Sequence, residues 1–104
     1  MSEIKDTAAA DAEVVHNVYF DGKVKSLWLD TDKGRATVGV MKKGAYQFST
    51  SSIETIVVIS GIMKTKFVGE DWVTHQLNES FEVAANVVFD VIGETDIAYI
   101  CYYR

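Results

Sequence analysis

Clusters of turn-forming residues interrupt this chain about every 8 to 12 residues. They are Asp21-Gly22, Asp30-Thr31-Asp32-Lys33-Gly34, Lys42-Lys43-Gly44, Ser51-Ser52, Gly61, Gly69-Glu70-Asp71, Asn78-Glu79-Ser80 and Gly93-Glu94-Thr95. Segments that short leave little room for a packed helix but suit strands. Lys23 to Leu29 alternates polar and apolar residues, as a strand with one buried face does. Further strands are expected at 35–41, 45–50, 53–60, 62–67, 72–77, 81–83, 87–92 and 96–103, eight or nine in all, with no proline to interrupt a ladder. Arg35–Met41 and Ala45–Thr50 read as a hairpin across Lys42-Lys43-Gly44. The pattern predicts an all-β single domain, an antiparallel sandwich or barrel. Such a fold hides its strand edges by closing or by pairing with another chain, so a homodimer is expected.

Residues 1–14 read as a frayed tail in which Ala8-Ala9-Ala10 can form at most a helical turn, and 15–104 as the β domain. The net charge of −5 argues against a nucleic-acid or anionic membrane surface, both of which require a basic footprint. It leaves room for a small anion, because one local arginine outweighs distant charge. No run reaches the length of a membrane-spanning helix, and Met1 to Glu13 lacks the apolar core of a secretory leader. Cys101, the single cysteine, lies in an apolar run and reads as a buried small hydrophobe. These features together predict a cytoplasmic protein.

The middle of the chain, Gly34-Arg35-Ala36-Thr37-Val38-Gly39-Val40-Met41 followed by Gly44, Tyr46, Phe48-Ser49-Thr50, Glu54 and Val58-Ile59-Ser60-Gly61, has the spacing of the first signature of the cupin barrel. Gln47 and Ser49 stand where metal-binding cupins carry histidines. With Tyr19-Phe20, Gly22-Lys23-Val24-Lys25-Ser26, Asp71-Trp72, Phe81 and the Tyr99, Cys101, Tyr103 run, the chain over about residues 17–104 resembles the small cupin-type pyrimidine/purine nucleoside phosphorylases. Members commonly carry a Val-Pro-Gly turn where this chain has Val83-Ala84-Ala85, and a histidine near the position of Asp90.

The resemblance implies a cupin-like jelly-roll β-barrel that splits nucleosides with phosphate into a free base and ribose 1-phosphate, with broad tolerance for the base. It implies no cofactor. The residues agree on metal: Gln47, Ser49, Glu54 and Asp90 offer no imidazole cluster, and His16 and His75 read as solvated surface residues. Phosphorolysis needs a held phosphate, negative charge beside the cationic sugar, and a stabilised leaving base. Arg35 suits the phosphate, with Lys23 and Lys25, which share one strand face, as added anion contacts or simply a solvated side. Glu54 is the candidate catalytic carboxylate. Gln47 and Ser49 alternate onto one face that the cupin analogy turns inward, to bind sugar or base or to satisfy each other. Asp90 joins them as a candidate substrate contact. Tyr46, Phe48, Tyr99, Tyr102 and Tyr103, with Trp28 and Trp72, can stack a base or build the core and a dimer interface.

Two other readings follow from the same residues. A non-catalytic cupin that binds a nucleotide or sugar gives ligand stabilisation without turnover. A metal-dependent cupin gives stoichiometric metal in the purified protein.

Overall fold

The computed structural model describes residues 13–104. Of the expected tail, residues 1–12, with the alanine turn, lie outside the described residues; Glu13 and Val14 are exposed and precede the first strand. Ten strands follow in chain order: β1 (His16–Tyr19), β2 (Val24–Thr31), β3 (Gly34–Met41), β4 (Gly44–Ser49), β5 (Glu54–Ser60), β6 (Met63–Phe67), β7 (Val73–His75), β8 (Ser80–Val83), β9 (Val88–Gly93) and β10 (Ile97–Tyr103). A 3₁₀ turn at Phe20–Gly22 links the first two. They form two antiparallel sheets, β1-β2-β3-β10-β5-β8 and β4-β9-β6-β7.

The sheets face each other as a sandwich, each keeping its own edges, and do not close into one hydrogen-bonded barrel. Between them Val24, Met41, Tyr46, Ile56, Val58, Met63, Val83, Phe89, Val91, Ile97 and Cys101 make the buried core. Strand alternation dictates this membership, since every second residue turns to one face.

The expected hairpin of 35–41 and 45–50 is absent, because β3 and β4 part into different sheets. β3 lies between β2 and β10, while β4 pairs with β9. The corner between them is tied from a distance: Asp96 accepts from the Lys43 backbone N–H and from Lys42 Nζ, both at 2.8 Å. Sequence neighbours with matching alternation looked like partners, but β9 and β10 bring the same alternation and complete both sheets.

His75 is also placed differently from its surface expectation. It is buried, its Nε2 lies 2.8 Å from Thr65 Oγ1, and its ring stacks on Phe81 at 4.0 Å. Its neighbours Thr74 and Gln76 are exposed, and their polarity hid the inward position between them. His16 is exposed, as expected.

The turn at Val83-Ala84-Ala85 forms without proline or glycine. Asn86 takes the positive φ of 60°, a region asparagine tolerates. Thr50 clamps the loop, its Oγ1 donating to the Ala84 carbonyl at 2.6 Å and its backbone N–H to the Val87 carbonyl at 3.0 Å.

Candidate active site

A cavity of about 720 Å³ opens between the sheets, within the usual range of small-molecule sites. Register decides which residues of the large sheet reach it. Ser26 pairs with Gly39 and Trp28 with Thr37, while Tyr99 and Cys101 pair with Gly39 and Thr37 of β3, and Tyr99, Cys101 and Tyr103 pair with Val58, Ile56 and Glu54 of β5. Residues paired across a ladder share a face, so this set and Arg35 belong to the inner one. Phe48 and Phe89 line the opposite wall, and Phe20 reaches in from the 3₁₀ turn.

Phe20 holds a φ of 52°, uncommon for a bulky residue. Such a backbone costs about 1–3 kcal/mol. Its ring packs on Tyr46 at 5.1 Å and Phe48 at 5.4 Å, and two aromatic pairs return about 1–3 kcal/mol. Packing thus holds the wall in place.

Arg35 stands at the exposed mouth with its guanidinium 4.4 Å over the Trp28 ring. Trp28 in turn packs on Tyr103 at 5.0 Å. Among the described residues Arg35 forms no ion pair, which leaves its fork of donors available. Ser49, Ser51 and Ser52 border the same cavity.

Glu54 lies half-buried on the inner face. Burial pushes its carboxyl above the ordinary carboxylate range, and the hydrogen bond from Cys101 opposes part of that rise. Cys101 Sγ donates to Glu54 Oε1 at 3.2 Å. The thiol is buried and pushed well above its usual value, first by burial and then by the Glu54 charge, so it stays protonated as a donor. Tyr103 gains a fixed position from its hydroxyl contact with Thr37 Oγ1 at 3.1 Å.

The structure brings Arg35 and Glu54 to one cavity, and Gln47 and Ser49 to its border. The inward face of β4 belongs to Tyr46 and Phe48, opposite to the cupin-based expectation for Gln47 and Ser49. These two alternate onto the outer face and still border the cavity. Gln47 Nε2 donates to Asp90 Oδ1 at 3.1 Å on that outer face, satisfying a neighbour and holding Asp90 away from the cavity. The reason is a core of Tyr46, Phe89 and Val91, whose paired positions claim the inner face. Tyr46 itself is core, its hydroxyl donating to the Lys42 carbonyl at 2.6 Å. Lys25 lies between buried Val24 and Ser26 and faces outward, and Lys23 sits outside the cavity lining. Tyr102 also faces outward, under Lys33, and Trp72 is exposed.

Trp28, Tyr99 and Tyr103, expected as base-stacking or core aromatics, line the cavity together with Phe20, Ser26 and Cys101, which carry no site signal in the sequence. Counting by twos along β10 from Tyr103 finds Cys101 and Tyr99. Among the described residues no three His, Cys, Asp or Glu side chains gather into a set that could hold a metal ion. No helix among them is long and apolar enough to cross a membrane.

Residues 14–103 match the family model described as pyrimidine/purine nucleoside phosphorylase. A Vibrio cholerae protein of that name is 45% identical over 91 residues, which cover 86% of this chain and 96% of the relative. A crystal structure of a protein of unknown function from Vibrio parahaemolyticus superposes with a TM-score of 0.84 at 39% identity, covering 89% of this chain and 100% of that one. A cupin-2 domain protein from Shewanella frigidimarina shares the fold, with a TM-score of 0.60 at 14% identity, over 73% of this chain and 76% of the other.

Proposed function

This chain belongs to the pyrimidine/purine nucleoside phosphorylase family, and on that premise we propose that its cavity catalyses phosphorolysis of purine and pyrimidine nucleosides to free base and ribose 1-phosphate. The observation that carries the reading is the joint placement of Arg35 and Glu54 on the inner face of one aromatic-walled cavity. The guanidinium at the mouth receives hydrogen phosphate through paired donors. Glu54, deeper and partly desolvated, faces the ribose and stabilises the positive charge that grows at C1′ as the base departs. Low local dielectric makes that interaction stronger than it is in water. Cys101 fixes the carboxylate's direction. Phe20, Phe48 and Phe89 offer faces to a base without reading its edge, which fits tolerance for both base classes.

The protein acts in the cytoplasm as a homodimer. The outer face of β2 and β3 exposes Leu27, Leu29, Val38 and Val40 with Val18 of β1 beside them, an apolar patch suited to a second copy. The site reading is tested by a crystal structure with phosphate and a non-cleavable nucleoside analogue. The phosphate is expected on Arg35 and the ribose beside Glu54; occupation of the outer face around Gln47 and Asp90 instead would overturn it.

A further inference from the structure

Tyr99 is built into the cavity with unusual care. Its ring lies directly across Gly39 on the neighbouring strand, so close that a Cβ there would meet the ring at 2.3 Å and the hydroxyl oxygen at 2.4 Å. Any larger residue at 39 displaces the ring, so the absent side chain is what seats it. The ladder between β10 and β5 shifts register between Ala98 and Tyr99, and such irregularities re-aim side chains beside functional sites. Tyr99 lines the cavity. Unlike Tyr103, whose hydroxyl is spent on Thr37, it makes no side-chain hydrogen bond among the described residues. Burial holds its phenol far above the usual value, so it remains an O–H donor.

Tyr99 and Tyr103 stand four residues apart on one strand face, about 13 Å at the usual strand rise. Tyr103 and Trp28 lie at the Arg35 end. A phosphate, a ribose and a base laid end to end from Arg35 past Glu54 therefore bring the base to Tyr99. We infer that Tyr99, seated on Gly39, is the catalytic residue that donates a hydrogen bond to the departing base. The inference rests on the phosphorolysis reading above.

The step balances without a further reactant. An oxygen of hydrogen phosphate bonds to C1′, the C1′–N bond breaks, and its electron pair passes to the base. The O–H of Tyr99 stabilises the resulting negative charge on the base nitrogen or its conjugated carbonyl oxygen. The proton that hydrogen phosphate gives up ends on the base. A freely rotating hydroxyl serves uracil and hypoxanthine alike, where a fixed amide would select one edge.

The test is a series of 5-substituted uridines of increasing base acidity, assayed for phosphorolysis with the wild-type protein, Tyr99→Phe and Gly39→Ala. Wild type is expected to depend weakly on base acidity. Tyr99→Phe is expected to lose about 100-fold in kcat on uridine and progressively less on more acidic bases, giving a steeper line. Gly39→Ala, which keeps the hydroxyl but moves it, is expected to steepen the line in the same sense. A melting curve near wild type for Tyr99→Phe separates this from a folding defect, and if that variant misfolds, the slope from Gly39→Ala decides. Parallel lines, or no loss, overturn the role of Tyr99 while leaving phosphorolysis standing. A wild-type protein that releases no base from any member removes both.

Discussion

Cys101 Sγ sits 3.2 Å from Glu54 Oε1, so a half-buried carboxylate in the cavity is met by a thiol and, among the described residues, by no cation. Two strands that pair only through long-range register bring them together, Cys101 on β10 and Glu54 on β5. A carboxylate left that poorly compensated is destabilising to the fold, and a site tolerates such a cost where the charge has work to do.

Glu54→Gln is therefore expected to lower kcat by about 10²- to 10³-fold and to raise the melting temperature at pH 7. The sign follows from linkage: a carboxyl whose folded-state pKa is raised contributes its stability below the unfolded value of 4.5 and loses it as pH rises through the folded value. The gain from the substitution should vanish below pH 4. Melting curves across pH 3 to 8 with parallel kinetics check it; a variant less stable than wild type at pH 7 would contradict the burial argument.

Arg35→Ala is expected to raise KM for phosphate by about tenfold or more, with a smaller change for the nucleoside, since one charge-assisted contact is worth about 1.5–3 kcal/mol. Arg35→Lys should restore part of the loss, the bidentate geometry being unavailable to an ammonium. Equal effects on both substrates would remove Arg35 from the phosphate site.

His75 supplies a separate pH effect. Burial lowers its pKa from 6.5, and only the Glu79 charge opposes this. A histidine neutral in the fold contributes stability above pH 6.5 that is lost as pH falls toward its depressed folded value. Wild type should lose melting temperature between pH 6.5 and 5 more steeply than His75→Gln, which keeps a hydrogen-bonding group for Thr65. Identical slopes would show that His75 does not titrate in that window.

Leu27→Asp combined with Val38→Asp places two carboxylates directly opposite each other on the outer sheet face. The pair is expected to convert a dimer into a monomer in light scattering while leaving the fold intact. A wild-type protein of single-chain mass would contradict the dimer proposal.

Strand existence was legible because period two survives wherever one face is buried, as in Val24 to Thr31 and Arg35 to Met41. Partner choice was not, because β3 and β4 carry patterns that β10 and β9 satisfy as well, and pairing across 39 to 66 residues leaves no local trace. Arg35 and Glu54 are candidates from the chemistry that the family resemblance requires, and the fold brings both to one cavity. The face of β4 was not: Gln47 and Ser49 share one face and Tyr46 and Phe48 the other, and only the packing of Phe89 and Val91 decides which turns in. Tyr99 was visible as an aromatic of the β10 run that could stack a base, but not as a seated hydroxyl, since that depends on Gly39, sixty residues earlier in sequence.

The most direct measurement is base release from uridine and inosine by the purified protein, with and without phosphate. Free base and ribose 1-phosphate in equal amounts, formed only when phosphate is present, is the result expected. No release, or release at the same rate without phosphate, would contradict a cavity built for phosphorolysis.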